Sequence, residues 1–90
     1  MEIKFSLEAW EQYIGWQNQD KKTLRRINEL LKDIVCGNQF EGIGKPEPLK
    51  GNLSGFWSRR IDEYNCLVYR IQGERGEICQ AVQCKGHYDA

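Results

Sequence analysis

At Gly37 the chain changes its texture, and this break constrains the fold more than any other feature of the sequence. Before it, apolar residues recur at helical spacing; after it, glycine and proline recur through residues 42–55 and break any helix there, and β character follows. Leu24, Ile27, Leu30, Leu31, Ile34 and Val35 form one stripe, with Lys21, Lys22, Arg25, Arg26, Glu29 and Lys32 outside it. That pattern predicts an amphipathic helix that opens on Asp20 as N-cap and stops at Gly37. Leu7, Trp10, Tyr13, Ile14 and Trp16 predict an earlier helix, capped by Ser6 and closed by Asn18, Gln19 and Asp20. Trp10, Trp16, Leu24 and Ile27 are expected in the core. Glu2 to Phe5 alternates, with Ile3 and Phe5 on one face, and reads as a short first strand.

Beyond the break, Gly42, Gly44, Pro46, Pro48, Gly51 and Gly55 fall within fourteen residues and predict a long shaped loop. β character follows in Trp57 to Asp62, Cys66 to Ile71 and Ile78 to Cys84, with turns at 63–65 and 72–76. The expected order is β, α, α, loop, β, β, β: a helical hairpin laid across an antiparallel sheet, of the α+β class. Ninety residues leave room for one core, so residues 1–90 are expected to form one domain.

Thirteen Lys and Arg balance thirteen Asp and Glu, which excludes a uniformly basic nucleic-acid coat and confines any polyanion site to a local patch. No apolar run approaches the roughly 20 residues of a membrane span. MEIKFSLEAW has no basic segment followed by an apolar one, so no export signal is read and a cytoplasmic location is expected. Cys36, Cys66, Cys79 and Cys84 then read as reduced thiols. They contain no C-x-x-C pair, so no zinc or other metal is expected. Cys36, Cys79 and Cys84 are expected to serve packing.

Chemistry concentrates in two places. Lys45, Glu47 and Lys50 surround the fixed backbone of Pro46 and Pro48, where Glu47 can act as a base or as a salt-bridge partner. Arg59 and Arg60 are adjacent on a strand and must point to opposite faces. Between Lys45 and Arg60, four basic residues face one acid, which reads as a phosphate-binding patch or as a solvated charged surface. Near the end, His87 and Tyr88 can offer a proton donor and a stacking ring, or form an incidental tail. Gly42-Ile43-Gly44-Lys45 is not a phosphate loop, because the first glycine would fall at Gln39 and the Ser/Thr at Pro46.

These residues carry a resemblance. Trp10, Tyr13, Trp16-Gln17, Asp20-Lys21, Ile27-Asn28-Glu29-Leu30 and Lys32-Asp33 lead into a denser stretch. It comprises Phe40-Glu41-Gly42, Gly44-Lys45-Pro46-Glu47-Pro48-Leu49-Lys50, Asn52-Leu53-Ser54-Gly55-Phe56-Trp57-Ser58-Arg59-Arg60-Ile61, Leu67-Val68-Tyr69 and His87-Tyr88. The chain resembles the YoeB/Txe toxins of bacterial type II toxin-antitoxin systems, within the RelE/ParE superfamily. The resemblance implies a RelE-like, microbial-ribonuclease fold and a ribosome-dependent endoribonuclease that cuts translated mRNA without a cofactor. Glu47 would take the 2′-hydroxyl proton, His87 would protonate the leaving 5′-oxygen, and Tyr88 and Lys50 would orient the nucleotide. Lys45, Arg59 and Arg60 would contact phosphate or ribosomal RNA. Implied partners are a cognate antitoxin of YefM/Axe type, the 70S ribosome with its mRNA, operator DNA through the antitoxin complex, and a second copy of the chain.

Two positions depart from the family pattern. An arginine usually precedes Leu-Val-Tyr, and here that position is Cys66. Arg70, on the same strand face, is a candidate substitute, and Arg59 another. Asp89 and Ala90 extend past the usual terminal tyrosine and add negative charge near His87. The substitution at Cys66 keeps a second reading open, that of an attenuated homologue acting by binding antitoxin or ribosome. A gyrase-inhibiting mode like that of ParE is disfavoured by the retained Glu47, His87 and Tyr88.

Overall fold

The computed structural model describes residues 1–87. The elements are β1 (Glu2–Phe5), α1 (Leu7–Gln19), α2 (Lys21–Cys36), β2 (Glu47–Pro48), a 3-10 turn (Gly51–Leu53), β3 (Trp57–Arg60), β4 (Cys66–Gln72) and β5 (Ile78–Gln83). The sheet order is β1-β5-β4-β3-β2. The expected βααβββ succession holds, with two additions. The loop contributes β2, two residues antiparallel to β3. And β1 runs parallel to β5, with Ile3 opposite Cys79, inside an otherwise antiparallel sheet. The helical pair carries the chain from β1 to the other end of the sheet, as a helical connection can and a tight hairpin turn cannot.

Both caps form where the sequence places them. The Ser6 hydroxyl accepts from the Ala9 amide at 3.2 Å. Asp20 accepts from the Lys22 amide at 3.0 Å and from the Thr23 hydroxyl at 2.9 Å. The stripe of α2 buries Ile27, Leu30, Leu31 and Ile34 against Leu67 and Tyr69 of β4 and Cys79 and Ala81 of β5.

α1 packs differently from its expected stripe. Ala9 and Trp16 are buried, and the Trp16 indole donates to the Cys84 carbonyl at 2.9 Å. Trp10 was expected in the core but is 45% exposed, in a strip with Leu7 and Ile14. Its ring stacks on Tyr13 and meets Phe5 edge-on, so a satellite aromatic cluster replaces core burial. Cys36 is likewise exposed rather than packed, because α2 ends there. No helix among the described residues is long and apolar enough to cross a membrane.

Candidate active site

Five local devices place the site. Pro48 lacks an N–H, so β2 can serve only as an edge strand. It is pinned on both sides: the Arg60 amide donates to Gly44 O at 2.6 Å before it, and the Leu49 amide donates to Phe56 O at 2.9 Å after it. Strand register then puts Glu47 opposite Ser58, Ser58 opposite Val68, and Arg60 opposite Cys66. Directly opposed residues share a sheet face, so Glu47, Ser58, Arg60 and Cys66 gather on the side away from the helices. The fifth device is the turn after β3. Asp62 accepts from the Tyr64 and Asn65 amides at 2.8 Å each, and the Asn65 side chain accepts from the Gly86 amide at 2.8 Å.

That last bond carries His87 to the same place. The Cys66 amide donates to Gly86 O at 3.0 Å, and the Gln83 amide nitrogen donates to the His87 carbonyl at 3.0 Å. The result is a cleft of about 490 Å³ lined by Glu47, Ser58, Arg60, Asp62, Glu63, Cys66 and His87. Cys66 Sγ lies 4.0 Å from His87 Nδ1. Burial pushes the Cys66 thiol up; Arg60 opposes that shift, and Glu47 and Asp62 reinforce it. The thiol is therefore neutral at pH 7 and contributes no charge where the resemblance implies an arginine.

The run from Lys45 to Arg60 does not form one basic patch. Of its four cations only Arg60 lines the cleft. Lys45, at a left-handed φ of 51°, lines a neighbouring groove with Arg26 and Arg60. Lys50 is exposed at the start of the 3-10 turn, outside the cleft lining. Arg59 was expected to contact phosphate, and the structure corrects this: it is 0% exposed on the helix side of the sheet, with its guanidinium donating to Asp33, Tyr69 and three loop carbonyls. Arg70 does share the face of Cys66. Its guanidinium, however, donates to Gln80 at 2.8 Å and lies over the Phe56 ring, away from the cleft, so neither nominated substitute occupies the missing arginine's place. Tyr88, Asp89 and Ala90 lie outside the described residues.

Sequence reasoning did not single out Ser58, Asp62, Glu63 or Asn65. The Asp62-x-x-Asn65 spacing was readable as a side-chain-capped turn, but its grip on the tail depends on a contact across the sheet. Among the described residues no three His, Cys, Asp or Glu side chains are placed to hold a metal ion.

Residues 5–88 match the family described as the YoeB-like toxin of bacterial type II toxin-antitoxin systems. The chain belongs to the YoeB toxin family. It is 48% identical over 88 residues to the Streptomyces coelicolor toxin YoeB, covering 98% of this chain and all of that one. Its fold superposes on a YoeB/ParE toxin from Agrobacterium tumefaciens with a TM-score of 0.92 at 40% identity, covering 98% of this chain and 100% of that one. It also superposes on YoeB of Staphylococcus aureus, solved as a dimer and in complex with YefM, with a TM-score of 0.88 in each case. The identities are 45% and 44%, with 98% of both chains covered. This chain is thus the toxin of a type II toxin-antitoxin system.

Proposed function

We propose that this toxin is an endoribonuclease that cleaves mRNA on the ribosome. What supports the reading is the convergence of Glu47, from an edge strand, and His87, from the tail, on one cleft that Arg60 also lines. In the proposed reaction the Glu47 carboxylate takes the proton of a ribose 2′-hydroxyl. The 2′-oxygen attacks the adjacent phosphorus, and the bond to the 5′-oxygen breaks as protonated His87 gives that oxygen its proton. The products are a 2′,3′-cyclic phosphate and a free 5′-hydroxyl. Arg60 supplies the cation nearest the phosphate oxygens, where charge grows in the transition state. Tyr88 and Lys50 orient the nucleotide, and Lys45 contacts the neighbouring backbone.

A second reading is favoured by one observation, the neutral Cys66 in a cleft with three carboxylates and one arginine. In it the chain cleaves weakly and acts mainly through binding of antitoxin or ribosome. Both readings include a YefM-like antitoxin, operator DNA reached through that complex, and a cytoplasmic site of action. They also include a homodimer, supported by the S. aureus dimer and by the exposed strip of Leu7, Trp10 and Ile14. In vitro translation with primer extension separates them. Cuts at ribosome-positioned codons, abolished by Glu47→Ala and by His87→Ala, support the ribonuclease. Translation arrest that survives both changes excludes it.

A further inference from the structure

The loop between α2 and β2 has little apolar contact to order it. Phe40 is 43% exposed and Ile43 40% exposed. The ring contact of Phe40 with Trp57, centroids 4.7 Å apart, covers only one point of the segment, while every backbone residue fixed loses conformational entropy. What the loop does have is a set of carbonyls turned inward onto one side chain. Arg59 donates through Nη2 to Asn38 O at 2.7 Å and Glu41 O at 3.0 Å, and through Nη1 to Ile43 O at 3.2 Å. Nη1 also donates to Asp33 Oδ2 at 2.5 Å, and Nε donates to the Tyr69 hydroxyl at 3.2 Å. Every N–H of the guanidinium thus has its own acceptor. The Tyr69 hydroxyl in turn donates to Gln39 O at 2.7 Å, and a Cβ at Gly42 would collide with Asp33 Oδ2, so the chain can wrap this closely only with glycine there.

We infer that Arg59 is a positioning residue for the toxin's chemistry, a buried template on which residues 38–44 are wound so that Glu47 enters β2 opposite Ser58. This rests on the reading of Glu47 as the base. The template reaches Glu47 with little slack. Gly44 O is held by the amide of Arg60, the next residue on the same strand, and only Lys45 and Pro46 separate Gly44 from Glu47. Pro46 has its φ locked by its ring. The position requires arginine: a lysine would keep the charge but lacks the planar fork that reaches five acceptors at once.

The test compares Arg59→Lys and Tyr69→Phe with the unaltered protein by amide hydrogen exchange and by single-turnover cleavage of mRNA on programmed ribosomes. Tyr69→Phe keeps the core volume and removes only the hydroxyl's two bonds, so it decides the question if Arg59→Lys does not fold. The expected result is exchange over residues 38–47 faster by about tenfold in Arg59→Lys and less in Tyr69→Phe, with β4 and β5 unchanged. Cleavage at saturating toxin falls by about tenfold or more, while the half-saturating concentration stays within about threefold. Unchanged loop exchange in both variants overturns the inference, as does equal acceleration throughout the sheet. A loosened loop with full cleavage overturns it too, provided Glu47→Ala abolishes cleavage. If Glu47→Ala instead cleaves normally, the base reading fails, and the exchange data alone decide whether Arg59 winds the loop.

Discussion

Cys66 and His87 meet across the cleft, sulfur to Nδ1 at 4.0 Å, because the Cys66 amide and the Asn65 side chain both hold Gly86. The proposed proton donor is therefore anchored to the strand whose first residue departs from the family pattern. A neutral thiol stands at the position where the resemblance implies an arginine.

Cys66→Arg should raise mRNA cleavage by about 10²-fold, the usual worth of one preorganised donor to a transition-state oxyanion. Primer extension on ribosome-bound message measures it. An unchanged rate would mean that Arg60 already supplies the needed charge.

Thiol reactivity should separate the four cysteines. Cys36 is exposed, Cys66 is 6% exposed with its thiol pushed up, and burial raises Cys79 and Cys84 to about 11. At pH 8 a group of pKa 11 is thiolate in about one molecule per thousand. A disulfide-exchange dye should thus titrate one fast thiol in the native protein and four after denaturation. A second fast thiol would place Cys66 in an open, ionised state that this geometry does not provide.

Gly44→Ala should destabilise the fold by about 2–4 kcal/mol, from left-handed strain and overpacking together. Gly44 has φ 82°, and a Cβ there would come within 2.7 Å of Leu30 Cδ2. Gly51→Ala is the control, since φ is 63° but a Cβ meets nothing within 4 Å. Urea unfolding of the two variants should differ by the packing share alone; equal losses would contradict the close approach of loop and helix.

Acid should weaken the Arg59 network through Asp33. The Arg59 hydrogen bond holds the Asp33 carboxyl below its ordinary 3.8, so as pH falls the unfolded chain takes up the proton first. The stabilisation is complete above 3.8 and is lost as pH drops through the lowered folded value. Melts of the unaltered protein and Asp33→Asn should show a gap at pH 7 that closes in strong acid. A gap independent of pH would remove Asp33's charge from the account.

Much of this architecture is local and so was legible. The α2 stripe, the caps at Ser6 and Asp20 and the opposite facing of Arg59 and Arg60 follow from spacing and from bonds spanning a few residues. Whether Trp10 is core or surface is not local, because it depends on which side of α1 the sheet receives. Nor did the charges of the 45–60 segment reveal their fates. A run with a local excess of three positive charges reads as one patch until the strands alternate and the loop turns.

The sequence by itself determined the α+β order, the break at Gly37 and the motif strings that mark the toxin family, since these depend on periodicity and residue identity. Only the tertiary structure decided that Arg60 faces the cleft and that Arg59 is buried on the helix side of the sheet as scaffold. It also decided that β1 lies parallel to β5 and that Asn65 and Gly86 bring His87 to Cys66. Those outcomes rest on hydrogen bonds between residues twenty or more apart, such as Gly86 to Asn65 and Arg59 to Asp33. No spacing rule encodes such pairs before the sheet has assembled.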